Sequence, residues 1–240
     1  MSKTPTRIVK TFKYAVYFDG VDDYAVVNHH DSLNIQPGNK ITIMMWFIPT
    51  GWQVGVIGGV VLNKLVDLQA GYSLEFESRN FFVRLDGGGR ATWTPMPHPF
   101  ATLNHYTAVV DGTVLSMYLN GVLGVQGSDM PTSGENTANL IIGRFKTPSG
   151  WTRGYIHAVY IYSRPLTAEE VSWNYKYPDN PVKNGLVLWL QADPNNIKDV
   201  DGDGVLEWVD LSGFGNHGKM YGATLVGVVK SPARVLPPVR

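Results

Sequence analysis

The most constraining feature of the chain is its punctuation. Short apolar runs follow one another from residue 14 to residue 162, and Gly, Asn, Asp or Pro closes most of them. Most runs alternate or are apolar throughout and are rich in aromatic and β-branched residues, the pattern of strands rather than helices. The runs predict strands over Tyr14–Phe18, Tyr24–Val27, Ile41–Ile48, Val54–Leu62, Tyr72–Glu77, Phe81–Asp86, Tyr106–Asp111, Val114–Leu119, Asn139–Gly143 and Gly154–Tyr162. Asp111-Gly112 between two such runs is a hairpin signal, because Gly accepts the positive φ of a tight turn. One helix is expected, over Glu169–Tyr175, opened by the capping box Thr167-Ala-Glu-Glu170. Many strands with one late helix predict an all-β antiparallel sandwich.

Composition narrows the function. Twenty basic and twenty acidic residues cancel, whereas binding nucleic acid needs an excess of Lys and Arg; no nucleic-acid partner is expected. No apolar run approaches the roughly 20 residues of a membrane span. Cysteine is absent, which removes disulfides, thiolate metal sites and a Cys nucleophile. The first residues, Met1-Ser-Lys-Thr-Pro-Thr-Arg-Ile-Val-Lys, carry positive charge without a following apolar stretch. No secretory signal is visible, which favours a virion structural protein over an exported one.

Several stretches together resemble the laminin-G-like, concanavalin-A-like jelly-roll family. They are Tyr17-Phe-Asp-Gly-Val-Asp-Asp-Tyr24, the Trp46 strand, Val109-Val-Asp-Gly112 with Met117-Tyr-Leu-Asn-Gly121, Leu140-Ile-Ile-Gly143, and Gly154 to Glu170. Their order over residues 14–175 matches the family. The resemblance implies a concanavalin-A-like jelly-roll sandwich and glycan binding, adhesion or structural roles. The chain departs from the family at His157, where an Asp is usual, so a rim metal site using that Asp is not expected.

The order of parts is also unusual. Gly185–Ala223, with Leu186-Val-Leu-Trp-Leu190 and Asp210-Leu-Ser-Gly-Phe-Gly-Asn-His-Gly218, resembles a segment that the family places first. The expected organisation is an arm (1–13), a sandwich (14–176), a linker (177–184) and a C-terminal segment (185–240). That segment completes the same sandwich, completes a neighbouring subunit's by exchange in a homo-oligomer, or is a truncated second module.

Candidate sites follow from residue type. Asp199-Val-Asp-Gly-Asp-Gly-Val205 spaces carboxylates as hard-cation loops do, predicting Ca²⁺ at Asp199, Asp201, Asp203, the Val205 carbonyl and Asp210, with Asp193 as a further ligand. The competing reading is an Asp/Gly-rich turn. Asp19, Asp22 and Asp23 read as a turn whose carboxylates bind nearby N–H groups. Glu75 and Glu77 share a strand face, as glycosidase carboxylates do, but a salt bridge to Arg79 or Arg84 is the simpler expectation. His29-His30-Asp31 and Gly87-Gly-Gly89 read as loops. Trp52, Trp93 and Trp151 lie in loop-like stretches where an indole can stack on a sugar, while Trp46, Trp189 and Trp208 are expected in the core. The sequence thus predicts a non-catalytic recognition and assembly module at an extracellular or virion surface. Its partner is a glycan or surface receptor; the alternative is a carbohydrate-binding module of a secreted glycan-degrading or adhesive protein.

Overall fold

A computed structural model describes residues 12–51, 59–66, 70–77, 80–85, 89–93, 101–145 and 150–227. Two antiparallel sheets pack face to face. The first has the order β10 (Val122–Gly127), β9 (Val114–Leu119), β8 (Asn104–Asp111), β3 (Lys40–Gly51), β12 (Arg153–Tyr162), β1 (Tyr14–Asp19), β17 (Thr224–Gly227), with β13 (Leu186–Gln191) also paired to β12. The second runs β14 (Ile197–Lys198), β15 (Glu207–Trp208), β16 (Gly218–Tyr221), β2 (Tyr24–Val27), β11 (Leu140–Ile142), β4 (Val60–Val66), β5 (Ala70–Glu77), β6 (Asn80–Leu85), β7 (Gly89–Trp93). This is the antiparallel sandwich expected from the strand pattern, in the jelly-roll form that the resemblance implies. No described helix is long and apolar enough to cross a membrane.

Alternation explains which face each strand buries. Ile41, Ile43, Met45 and Phe47 of β3 enter the core between the sheets, while Met44 and Trp46 face outward under a second apolar layer. That layer is covered by α1 (Ala168–Lys176), whose capping box is formed by Thr167 and Glu170 as expected. Residues 177–184 are tied to this face. Tyr160 donates to the Pro178 carbonyl, Tyr162 to Val182 (3.0 Å) and Trp173 Nε1 to Asn180 (2.9 Å), so this segment straps the same face. The turn after β9 uses Asn120 and Gly121 at φ 52° and 78°, a primed turn that matches strand twist.

The C-terminal segment pairs with strands of its own chain. β13 lies beside β12 in register Tyr160↔Trp189, end to end with β1, which takes the other half of that edge. β16 pairs with β2, and β17 with β1. Sequence reasoning missed β7, β10 and the short strands β14 to β17. Two- to four-residue strands leave too little alternation to read, and Val122–Gly127 carries Gly at two positions with mostly exposed side chains.

Trp208 is fully buried between the sheets, and Trp46 is buried under α1. Trp189, expected in the core, is only half-buried and faces away from it. His157 takes the position where the family usually has Asp. Its Nδ1 donates to the Tyr14 carbonyl (2.8 Å) and its ring packs 5.0 Å from Phe12. Burial lowers its pKa to about 4 and that of His105 to about 3, so both rings are neutral at pH 7.

Candidate functional site

The outer face of the nine-stranded sheet is built in rows. Cross-strand partners share a face, and one register row runs through Lys198, Glu207, Lys219, Val26, Ile141, Asn63, Ser73 and Arg84, with Glu207, Asn63 and Ser73 buried within it. The row is mostly polar because alternation sends the intervening residues, such as Ala25, Ile142, Leu62 and Leu74, into the core. Glu75, on the same face, is buried. It accepts bonds from Ser73 Oγ (2.6 Å) and Arg84 Nε (3.1 Å), which is the salt bridge expected for it. The Glu77 side chain and Arg79 lie outside the described residues.

An aromatic ledge stands beside this row. Tyr24 of β2 and Tyr221 of β16 are register partners on the outer face and stack with centroids 4.9 Å apart and planes at 20°. The Arg144 guanidinium lies 4.3 Å above the Tyr24 centroid and 5.7 Å from that of Trp151, whose ring is 6.3 Å from Tyr24. Such cation–π stacking orders a long side chain and holds a charged edge beside apolar faces. Asn63 Nδ2 donates to the Arg144 carbonyl (2.6 Å), tying the ledge to the polar row. Tyr221 is 39% exposed, enough to offer a ring face to a ligand.

At one end of the ledge the Asp19–Asp23 turn behaves as its residues dictate. Asp19 Oδ1 accepts from Val21 N (2.7 Å), and Asp23 Oδ2 from Asp19 N (2.7 Å). Burial raises the Asp23 pKa against that bond. Gly222 at φ 72° packs so closely that a Cβ there would stand 2.1 Å from Asp23 Oδ1. The close approach of this glycine brings the C-terminal segment, and so Tyr221, against β2.

Of the three loop tryptophans, Trp151 joins this aromatic cluster. Trp52 lies outside the described residues. Trp93 is the last residue of β7 rather than a loop residue, and its half-buried indole packs against the core at Gly124 of β10. It closes the gap between the two sheets at that edge. Tyr24, Tyr221 and Arg144 were not singled out from sequence. Tyr24 was readable as an outward position of an alternating strand, but Tyr221 acquires its meaning only by pairing.

In the Asp199–Asp210 loop, carboxylate oxygens of Asp199, Asp201 and Asp203 lie within 4.8 Å of one another. Asp199 accepts from Gly202 N (2.7 Å) and Gly204 N (2.9 Å), and Asp203 from Val205 N (2.8 Å). Lys219 supplies positive charge, bonding Asp201 Oδ2 (2.7 Å) and Asp203 Oδ2. Its ammonium holds the Asp203 carboxyl below the ordinary value and is itself raised. Asp210 is buried elsewhere, bonded to Trp189 N, Ser212 and Asn216 N. Asp193 caps a turn through Asn195 N (2.9 Å). The fit to a cation is therefore a cluster of three carboxylates with Lys219 among them.

Among solved structures, the chain superposes on a Bacteroides ovatus protein described as carbohydrate-binding. The TM-score is 0.70 at 15% identity, covering 90% of this chain and 60% of that one. Domain 4 of an extracellular arabinanase from Geobacillus stearothermophilus, solved with arabinotriose, matches at TM-score 0.53 and 18% identity over 68% of this chain and 80% of that one. A heptameric pentraxin of Limulus polyphemus matches at TM-score 0.52 and 13% identity, covering 68% and 82%. At these identities the likeness is one of fold. A comparison with curated protein sequences gives no match. Residues 19–172 match the sequence family described as the concanavalin A-like lectin/glucanases superfamily, and the chain belongs to that superfamily.

Proposed function

We propose that the chain is a non-catalytic binding module that holds a glycan on the outer face of its nine-stranded sheet. The observation that carries this reading is the ledge of Tyr221, Tyr24, Arg144 and Trp151 beside a polar row. Sugar rings present apolar C–H faces to aromatic rings and hydroxyls to charged groups, and the ledge brings its rings and the Arg144 guanidinium together. The carbohydrate-binding description of one fold relative and the arabinotriose bound to another support it. Glu75 supports a non-catalytic reading, since its carboxylate is buried and already engaged by Ser73 and Arg84. Such a module serves an extracellular or virion surface, where glycans are displayed.

A glycan array followed by titration calorimetry of the hits tests the proposal. Tyr221→Ala and Trp151→Ala should each weaken the hit glycan at least tenfold, with the unfolding midpoint little changed. Failure of the parent protein to bind any arrayed glycan, or full binding by both variants, would reject it.

A further inference from the structure

On the opposite face of the sandwich, a cleft of about 380 Å³ opens where three parts of the chain meet. The start of β1 and the two residues before it contribute Phe12, Lys13 and Tyr14; the strap contributes Pro178 and Asp179; the C-terminal segment contributes Trp189, Gln191, Asp193, Asn196 and others. The cleft exists only because the C-terminal segment pairs with β12.

Its polar groups are held in place. Gln191 reaches both ways, its Oε1 accepting from Trp189 Nε1 (3.2 Å) and its Nε2 donating to Asp179 Oδ1 (2.6 Å). Asn196 Nδ2 donates to the Gln191 carbonyl (3.2 Å). Asp193 Oδ1 accepts from Asn195 N and Nδ2 (2.9 and 2.8 Å), leaving Oδ2 without a hydrogen-bond partner among the described residues. The Lys183 ammonium sits 3.7 Å from the Trp189 ring centroid, and Tyr160 packs edge-on at 6.2 Å. Lys183 is not part of the cleft wall, so one indole face is covered and the ring is ordered before any ligand arrives. Ordering a wall in advance lowers the entropy that binding must offset.

We infer that this cleft is a second saccharide site, separate from the ledge and selective for neutral sugars. An ordered indole with Phe12 and Tyr14 supplies apolar wall. Planar amide and carboxylate groups of Gln191, Asn196, Asp179 and Asp193 match pairs of adjacent hydroxyls. The Asp193 carboxylate, with its Oδ2 turned to no partner among the described residues, disfavours uronic and sialic acids, because like charges at a partly buried site repel. The volume falls within the range of small-ligand pockets, about 300–1,000 Å³, and accommodates one or two sugar rings.

The test uses the full chain and nuclear magnetic resonance of the Trp189 indole N–H, assigned with Trp189→Phe. Probes are cellotriose, xylotriose, mannotriose, chitotriose and arabinotriose, with trigalacturonate as the acidic comparison. At least one neutral trisaccharide should shift the Trp189 signal saturably, with trigalacturonate at least tenfold weaker. Gln191→Leu should weaken the shift at least tenfold, and Asp193→Asn, which keeps the turn-capping oxygen, should narrow the neutral-over-acidic preference. Trp151→Ala should leave the shift unchanged, so the cleft and the ledge fail separately. The inference is overturned if no neutral probe moves the Trp189 signal, if Gln191→Leu leaves it intact, or if Trp151→Ala abolishes it.

Discussion

Asp210→Asn is the sharpest probe of how the C-terminal segment is held. The Asp210 side chain is buried and gathers four donors. Oδ1 accepts from Trp189 N (2.8 Å) and Ser212 N (2.9 Å), and Oδ2 from Ser212 Oγ (2.7 Å) and Asn216 N (3.0 Å). These bonds tie the 210–216 loop to β13. Asn216 extends the tie, donating from Nδ2 to Val187 O (2.8 Å) and Ser32 Oγ (3.2 Å). An amide keeps one acceptor oxygen and turns an NH₂ toward the other two donors. Hydrogen bonds to a charged group each contribute about 1.5–3 kcal/mol, so losing two costs about 3–6 kcal/mol. Native domains hold only about 5–15 kcal/mol, so the variant sits near the edge of folding. Urea unfolding at pH 7 measures it: with a slope of about 3 kcal/mol/M, the midpoint should fall by about 1–2 M at unchanged slope. A midpoint shift below about 0.3 M would refute the account of Asp210 as the anchor of the segment.

Three further outcomes follow from the structure. His105 and His157 have folded pKa values near 3 and 4, below the ordinary 6.5, so the unfolded chain takes up two protons that the fold refuses. Their stabilising contribution is complete above pH 6.5 and is lost as pH falls toward the folded values, at up to about 2.7 kcal/mol per pH unit; a parent midpoint flat between pH 6.5 and 5 in denaturant titrations would contradict this. Gly124→Ala places a Cβ 1.7 Å from the Trp93 ring and should destabilise by about 1–3 kcal/mol through overpacking, whereas a thermal midpoint within 1 °C of the parent would show that Trp93 does not close that edge. Lys219→Met removes the ammonium bonded to Asp201 and Asp203, so we propose that saturating Ca²⁺ raises the thermal midpoint of this variant more than that of the parent; equal shifts would show that the lysine does not compete with a cation there.

Legibility in the sequence followed locality. The hairpin signal at Asp111-Gly112 and the Thr167–Glu170 box depend on neighbours a few residues away, and the structure has both where the sequence puts them. The carboxylates of Asp199, Asp201 and Asp203 do converge as their spacing implies, but Asp210 is drawn instead to Trp189 and Asn216. Spacing reports what one loop can gather; it does not report competing partners supplied by another strand. Trp93 and Trp189 both end half-buried, away from their expected environments, for the same reason. A Pro-flanked Trp reads as exposed and a strand Trp as buried, yet Gly124 covers the first and the outward face of β13 presents the second.

The sequence by itself determined which residues form the main strands, which faces they bury and where the helix begins, because alternation and capping act within a few residues. Only the tertiary structure decided that the C-terminal segment pairs with β12 and β2. Strand partnership is a long-range choice, made by register and close backbone approach, as at Gly222 against Asp23. Tyr221 beside Tyr24, and Trp189 beside Phe12, come from opposite parts of the chain, so both candidate ligand surfaces exist only once those pairings have formed.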